Sequence, residues 1–382
     1  MDTLKLVEKF ESQWDENHIT SRAPGRMNII GEHTDYNGGF VLPAAIDKEI
    51  VCILQANNTN TINAIASDLD EKESFTLEQI TATKGWINYI KGVVAELIKK
   101  GVKVQGFNLV FGGDVPLGAG LSSSAALECA LATGLNNLFG GKLSQREIAL
   151  VGQAAEHNYA GVKCGIMDQF ASTFGQKDHV IKIDCKHQKT AHFPLNTQGF
   201  KWVLCNTGVS HSLASSEYNT RREQCEAGVA VLQKEMPKLE DLRGATLAQL
   251  KAHRSAMDPT IYKRCEFVIN ENERVLKACK HLENNELDAL GTLIYASHDG
   301  LQHDYEVSCK ELDFLVDQTR DNDQVFGARM MGGGFGGCTI NLVRTNAVDS
   351  FIEMQTEAYQ KQFNRKLVCY SVVTGDGARV ED

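Results

Sequence analysis

The stretch Gly118-Ala119-Gly120-Leu121-Ser122-Ser123-Ser124-Ala125-Ala126-Leu127 decides how this chain is read. A glycine-rich turn runs into three serines and then into a helix. Over residues 126–139, Leu131, Leu135 and Leu138 fall on one helical face, and Gly140-Gly141 closes the helix. Glycine lets backbone approach a ligand closely, and the first N–H groups of a helix have no partner within it. The helix dipole adds partial positive charge at that end. The serine hydroxyls can cap the helix, bind phosphate oxygens or ligate a metal ion. Two readings follow: an anion site, or an ordinary serine-capped helix after a turn.

Other phosphate patterns do not apply. Gly-x-x-x-x-Gly-Lys-Ser/Thr is absent. A Gly-x-Gly-x-x-Gly match occurs at Gly332, Gly334 and Gly337, but Cys338-Thr339-Ile340-Asn341-Leu342-Val343 then reads as a strand. A dinucleotide fingerprint must open a helix, so this match fails on context. The protein-kinase run His-Arg-Asp is also missing.

Outward from the serine run, residues 104–111 alternate and read as a strand feeding the turn. Before it, residues 4–14 read as a short helix, 19–30 as a strand broken by Pro24-Gly25, 41–53 as a strand, 57–70 as a hairpin and 86–100 as an amphipathic helix. After it come helices over 144–159 and 165–174 and a strand over 180–184. A second half begins near residues 190–200, at the loop His192-Phe193-Pro194-Leu195-Asn196. It contains a strand over 202–205 and helices over 217–234, 262–281, 286–300 and 310–320. Strands at 328–331 and 339–343 flank a glycine turn; a helix over 347–362 and a strand over 366–374 end the chain. Strands and helices mix without a repeating βαβ unit, so the fold class is α+β, in two lobes spanning 1–195 and 196–382.

Composition narrows the classes. The 382 residues are 42% hydrophobic and 23% charged, as in ordinary soluble globular proteins. A net charge of −10 without a Lys/Arg block argues against nucleic acid or an anionic membrane as partner. No apolar run approaches the ~20 residues of a membrane span, and the polar amphipathic N-terminus is not a signal peptide. Eleven cysteines, scattered singly, read as reduced thiols in the cytoplasm. His298 and His303 lie near Asp304 without metal-site spacing.

Three further runs carry chemistry. Glu32, His33 and Asp35 offer acceptors and an imidazole within one short loop, which suits a ligand made of hydroxyl groups. Arg26, read on the preceding turn, can neutralise a carboxylate or a developing phosphoryl charge. The bland alternative is a solvated loop with an internal ion pair. Asp168 stands among apolar neighbours, where a carboxylate can orient a hydroxyl or take its proton; it could equally be a helix N-terminal acid. Glu156, on a mostly apolar helix, reads as a metal ligand or a surface acid. The glycine run at 332–337, placed between two strands, reads as a structured ligand-facing turn.

Taken together, the runs at 24–31, 118–126 and 332–337 resemble the motifs of the GHMP small-molecule kinases. Within that family, Gly31-Glu32-His33-Thr34-Asp35-Tyr36-Asn37-Gly38-Gly39, Cys164-Gly165-Ile166-Met167-Asp168-Gln169 and the run at 216–222 are similar to those of the galactokinases, not of mevalonate or homoserine kinases. Five motifs in the expected order cover the chain from about Ala23 onward. The resemblance implies an N-terminal lobe like ribosomal protein S5 domain 2, a ferredoxin-like C-terminal lobe, and a site between them. It implies ATP-dependent phosphorylation of galactose at the anomeric C1 hydroxyl, giving α-D-galactose 1-phosphate, the first committed step of galactose catabolism. Asp168 then matches the acid that contacts the C1 hydroxyl, and Arg26 the group that stabilises the transferring phosphoryl. Glu32, His33, Asp35, Gly165 and Tyr218 match sugar contacts. Gly118, Ala119, Gly120, Leu121, Ser122, Ser123 and Ser124 match the phosphate loop, and Trp86 and Tyr89 aromatics near adenine. Ser124 and Glu156 match the Mg²⁺ pair. The expected partners are galactose and ATP, for a monomeric chain. Two departures stand out: Met331 where Thr is usual before the glycines, and Met27 where Val is usual. An N-acetylgalactosamine kinase and a non-catalytic galactose sensor are the alternative readings; the intact serine run with Arg26 and Asp168 speaks against the sensor.

Overall fold

A computed structural model of the chain describes residues 3–116, 118–210 and 214–381. The strands are β1 (Ile19–Asn28), β2 (Phe40–Val41), β3 (Pro43–Ala56), β4 (Thr61–Ala66), β5 (Glu71–Thr76), β6 (Phe107–Gly113), β7 (His179–Asp184), β8 (Lys189–Pro194), β9 (Phe200–Ser210), β10 (Val325–Met330), β11 (Gly336–Arg344), β12 (Val368–Val372) and β13 (Arg379–Glu381). The helices are α1 (Thr3–Glu11), α2 (Ile87–Lys99), α3 (Ser123–Leu138), α4 (Gln145–Ala155), α5 (Met167–Phe174), α6 (Ala214–Leu232), α7 (Leu247–Ala252), α8 (Pro259–Glu283), α9 (Leu287–His303), α10 (Lys310–Asp317) and α11 (Val348–Phe363).

Among the described residues, one sheet has the order β13-β1-β3-β6-β4-β5 and a second the order β10-β11-β9-β12; β2, β7 and β8 form a third. In the first sheet only β4 and β6 run parallel. The second sheet is antiparallel throughout, with helices between β9 and β10 and α11 between β11 and β12. This is a ferredoxin-like arrangement. The last strand, β13, returns to pair with β1.

Helices α3 and α5 pack on β1, and α3 also on β3. The reason is in the pattern: Leu131 and Leu135 are fully buried with Ile90 and Val94 of α2 and Leu54 and Leu109 of the sheet. Truncating one such leucine to alanine costs about 2–5 kcal/mol. The same apolar cluster takes in Trp202, Leu204 and Ile340 of the second sheet, so the core is continuous between the two sheets. A separate cluster around Phe267, Leu301 and Tyr305 joins α6, α8 and α9.

Several local expectations shift. β1 runs unbroken through Pro24-Gly25, because a bulge between Pro24 and Arg26 absorbs the irregularity. Arg26 therefore sits on a strand rather than on a turn. The hairpin expected at 57–70 is β4 with β5, reaching Thr76. The loop expected at His192 is the end of β8 as far as Pro194. α3 begins at Ser123, three residues before Ala126. α4 opens with a capping box of Ser144 and Glu147 and ends at Ala155. The chain then widens into a π turn over Glu156–Ala160, a form frequent at functional sites.

Candidate active site

β1 delivers Arg26, and the loop after it delivers Glu32, His33 and Asp35. α5 brings Asp168 in its first turn, α6 brings Tyr218, and the turn between β10 and β11 brings Gly332 to Gly334. These segments enclose one cavity of about 300 Å³. That is within the usual range for small-molecule sites.

Asp168 is the hub of one end. Its Oδ1 accepts from Nε of Arg26 at 2.8 Å, and its Oδ2 from the Ser122 hydroxyl at 2.6 Å. Arg26 is only 4% exposed and also donates through Nη1 to the carbonyl of Gly120. The guanidinium thus bridges the acid and the serine-run loop. The plain helix-cap reading of the serines fails here: Ser122 precedes α3 in the left-handed region (φ 59°) and makes no side-chain cap. Its hydroxyl is turned onto Asp168 instead. Ala119 and Leu121 bury their side chains in the core, so their share of the loop is backbone.

Ser124 donates to both oxygens of Glu156, at 3.2 and 3.4 Å. Glu156 is 8% exposed, which removes the surface-acid reading. Burial, and then the charge of Asp168, push its carboxyl up to about 7. The Gln169 amide ties Glu156 to the buried Glu128, each contact 3.1 Å. Sequence reasoning missed Gln169 and Glu128, whose carboxyl is pushed well up by burial and by Glu156.

At the other end burial disfavours the charged forms of Asp35 and His33. Burial, then Asp168, pushes the Asp35 carboxyl up to about 7. Burial, with Arg221 and Arg329 nearby, holds His33 down to about 3, so its ring is neutral. The rings of His33 and Tyr218 lie 5.3 Å apart. Gly165 makes room: a Cβ there would fall 1.8 Å from Oδ2 of Asp35. Gly165 therefore shapes the site by its missing side chain.

Glu32 lines the cavity but is chiefly a strut. Its Oε1 accepts from Arg329 at 3.1 Å and from the Gly332 N–H at 2.8 Å. Arg329 is fully buried and also donates to the carbonyls of Asn28, Ile29 and Met330. Removing either partner of such a buried pair costs about 3–5 kcal/mol. The signal for Arg329 is present in the sequence, as a lone arginine inside the apolar strand before the glycines. The turn itself needs glycine at 334, where φ is +83° and a Cβ would meet the Val307 carbonyl at 2.1 Å. Met331 faces inward, 1% exposed, with its sulfur 3.4 Å from the Asn28 N–H, so it offers nothing to phosphates. Met27 is fully buried in the core.

Trp86 and Tyr89 do not line the cavity. Trp86 donates to Glu71 at 2.6 Å and packs on Phe111. Tyr89, half-buried on α2, has its hydroxyl pushed up to about 12 by burial and by Glu156. Lys163 and Asn219, which do line the cavity, carry no signal in the sequence beyond their neighbours.

The arrangement can hold a polyhydroxyl ligand beside a carboxylate, a guanidinium and a glycine-serine loop. Comparison with known proteins agrees with that chemistry. Residues 88–176 match the GHMP kinases N terminal domain, residues 275–361 the GHMP kinases C terminal domain, and residues 8–56 the galactokinase galactose-binding signature. A galactokinase of Thermosipho africanus is 40% identical over 93% of this chain and 98% of its own. One from Roseiflexus sp. is 38% identical over 100% of this chain and 98% of its own. The solved structure of Lactococcus lactis galactokinase complexed with galactose superposes with a TM-score of 0.95, at 32% identity, covering 99% of this chain and 100% of that one. A mevalonate kinase of Methanococcus jannaschii, at 18% identity and a TM-score of 0.66 over 95% of this chain and 100% of its own, shares the fold. With its motifs in order and its relatives matched over their full length, the chain belongs to the galactokinases of the GHMP kinase family.

Proposed function

We propose that this chain transfers the terminal phosphoryl group of ATP to the C1 hydroxyl of galactose, giving α-D-galactose 1-phosphate. The observation that carries the reading is the bridge Ser122–Asp168–Arg26–Gly120 at one end of the cavity. A carboxylate has about four acceptor positions, and two are used here. A sugar hydroxyl can take a third, which orients its oxygen for attack and gives its proton a destination. Arg26 then stands between that oxygen and the loop, where charge builds on the transferring group. Phosphoryl transfer needs mainly positioning and charge stabilisation, and these fixed groups supply both.

The loop from Gly118 to Ser124 is read as the cradle for the ATP phosphates, with Gly118 and Gly120 both at positive φ. Trp86 and Tyr89, at the start of α2, are read as flanking the adenine. Ser124 and Glu156 fit Mg²⁺: they are adjacent hard oxygen donors, and the Glu156 carboxyl is buried, pushed up by that burial and then by Asp168, so a cation there would be favoured. Mg²⁺ prefers one or two carboxylates and completes its shell with phosphate and water. When bound it would neutralise charge on the ATP phosphates.

The sugar end supports galactose through Asp35, His33, Glu32 and Tyr218. We further read the lobes as 1–195 and 196–382, and the chain as a cytoplasmic monomer. All eleven cysteines carry free thiols, and no helix among the described residues is long and apolar enough to cross a membrane. The test is nucleotide release with MgATP and galactose, glucose, N-acetylgalactosamine or arabinose. Galactose should be turned over best. A preference for N-acetylgalactosamine, or no turnover of any sugar, would overturn the assignment.

A further inference from the structure

A hydrogen-bonded chain leads from the cavity into the second half of the molecule. Nδ1 of His33 lies 2.8 Å from the Tyr36 hydroxyl, which lies 2.9 Å from the hydroxyl of Tyr305. The Tyr305 hydroxyl is 3.2 Å from the Cys225 sulfur. His33 lines the cavity and is 4% exposed, yet its Nε2 completes no hydrogen bond of good geometry. The Gly333 backbone lies close enough to favour a hydrogen on the ring without holding it. Because His33 lines the cavity, a bound ligand can complete that nitrogen's hydrogen bonding.

The chain can be wired in two directions. In one, Tyr305 donates to Tyr36 and Tyr36 donates to Nδ1, so the neutral ring carries its hydrogen on Nε2. In the other, Nδ1–H donates to Tyr36 and the last phenol hydrogen falls on a thiol sulfur. Sulfur is a weak acceptor, whereas an imidazole nitrogen is a good one, so the first direction uses each hydrogen better. His33 stays neutral through burial, so the choice between its two nitrogens is real.

Tyr305 is also firmly held. It is fully buried, its ring packs on Phe267 at 4.7 Å, and its carbonyl accepts from Arg221 at 2.8 Å. His33 and Tyr36 come from the sugar loop near the N-terminus, and Tyr305 from just beyond α9. The geometry points to Tyr305 as a positioning residue for sugar recognition: through Tyr36 it fixes His33 with its hydrogen on Nε2, which presents a donor to a ligand hydroxyl. The second half of the chain thereby sets the hydrogen-bonding sense of a group supplied by the first. This rests on the galactose reading above for the identity of the ligand, but not for the state of the ring.

Two measurements test it. The first is nitrogen NMR of the full-length protein made with isotope-labelled histidine, with His33 assigned by loss of its signals in His33→Gln. Wild type should show a bare Nδ1 and a protonated Nε2, and Tyr36→Phe should shift the ring toward a mixture. The second is steady-state kinetics of Tyr305→Phe, which removes one hydroxyl and keeps the ring. KM for galactose should rise about fivefold, as for loss of one neutral hydrogen bond, with a smaller change in kcat. In a His33→Gln background the same change should leave KM where it was. A protonated Nδ1 in wild type, or an equal rise in KM with and without His33, would overturn the proposal. If galactose is not turned over at all, the substrate reading fails, and the NMR arm, which needs no sugar, still decides the role of the tyrosine pair.

Discussion

At one end of the cavity Asp168 keeps both oxygens in charge-assisted or short hydrogen bonds, to the guanidinium of Arg26 and the hydroxyl of Ser122. At the other, Asp35 has no ion pair among the described residues and is held up to about 7, beside an imidazole held neutral and the hydroxyl of Tyr218. The same residue type thus serves two purposes. An ion pair stands where a phosphoryl group would move. Groups whose charge burial disfavours are arranged where a neutral sugar would sit. What separates the two aspartates is the company each keeps: a buried arginine on β1 for Asp168, and desolvation plus a neighbouring carboxylate for Asp35.

The sharpest way to break this comparison is Asp168→Asn. It is nearly isosteric but removes the charge that Arg26 and the sugar hydroxyl would share. Turnover of galactose should fall by about 10²–10⁴-fold while nucleotide binding by calorimetry persists. Turnover within about threefold of wild type would mean that another group carries the chemistry, since general-base effects are far larger.

Next in size is the metal pair. Ser124→Ala and Glu156→Gln should each raise the magnesium concentration needed for half-maximal rate by about 10-fold or more, as loss of a ligand or its support does. A magnesium titration that superposes on wild type for both variants would remove these residues from the metal's shell.

A smaller effect tests the Asp35 end. Gly165→Ala puts a methyl within 1.8 Å of Oδ2 of Asp35. Asp35 must move, so KM for galactose should rise about tenfold, the scale of one good hydrogen bond to a polar group, with Asp168 chemistry retained. An unchanged KM would show that Asp35 does not touch the sugar.

The last prediction concerns pH and reads stability rather than turnover. Asp35 has a folded-state pKa of about 7 against an ordinary value of 3.8, so between those limits the folded chain keeps a proton that the unfolded chain has lost. The stability this proton represents is complete below pH 3.8 and is lost as pH rises through about 7. Asp35→Asn, a neutral isostere, should therefore gain in Tm relative to wild type as pH rises from 3.8 to about 7, with the gain level above that. Glu156 is held to about 7 as well, so the difference between the two proteins, not either curve alone, is the readout. A constant difference would place Asp35 in an ordinary ionised state.

Much of the site is legible in the amino-acid sequence because its parts are local. A glycine turn, a serine run and a helix start lie within ten consecutive residues, and a loop with Glu32, His33 and Asp35 spans four. Residues that act through the backbone or through a single short motif are announced by composition and order. The roles of Arg329, Glu128, Gln169 and Tyr305 are not, even where the residue itself stands out. Each has its partner far along the chain: 297 residues for Arg329 to Glu32, 41 for Gln169 to Glu128, 269 for Tyr305 to Tyr36. The bulge at Pro24 escapes a sequence reading for a related reason. Two turn-forming residues suggest a break, but pairing with β3 on one side carries the strand through them.

By itself the sequence determined the periodic elements, the glycine-serine loop and the acids that the chemistry needs, since propensity, glycine and charge act over a few residues. Only the tertiary structure decided which hydroxyl of the serine run meets Asp168, that Arg26 stands on a strand between acid and loop, that Glu32 is spent on Arg329, that burial raises the Asp35 carboxyl, and that His33 is neutral. The physical reason is that protonation and hydrogen-bond partnership depend on burial and on charges brought within a few ångströms by folding, and neither is encoded by neighbours in the chain.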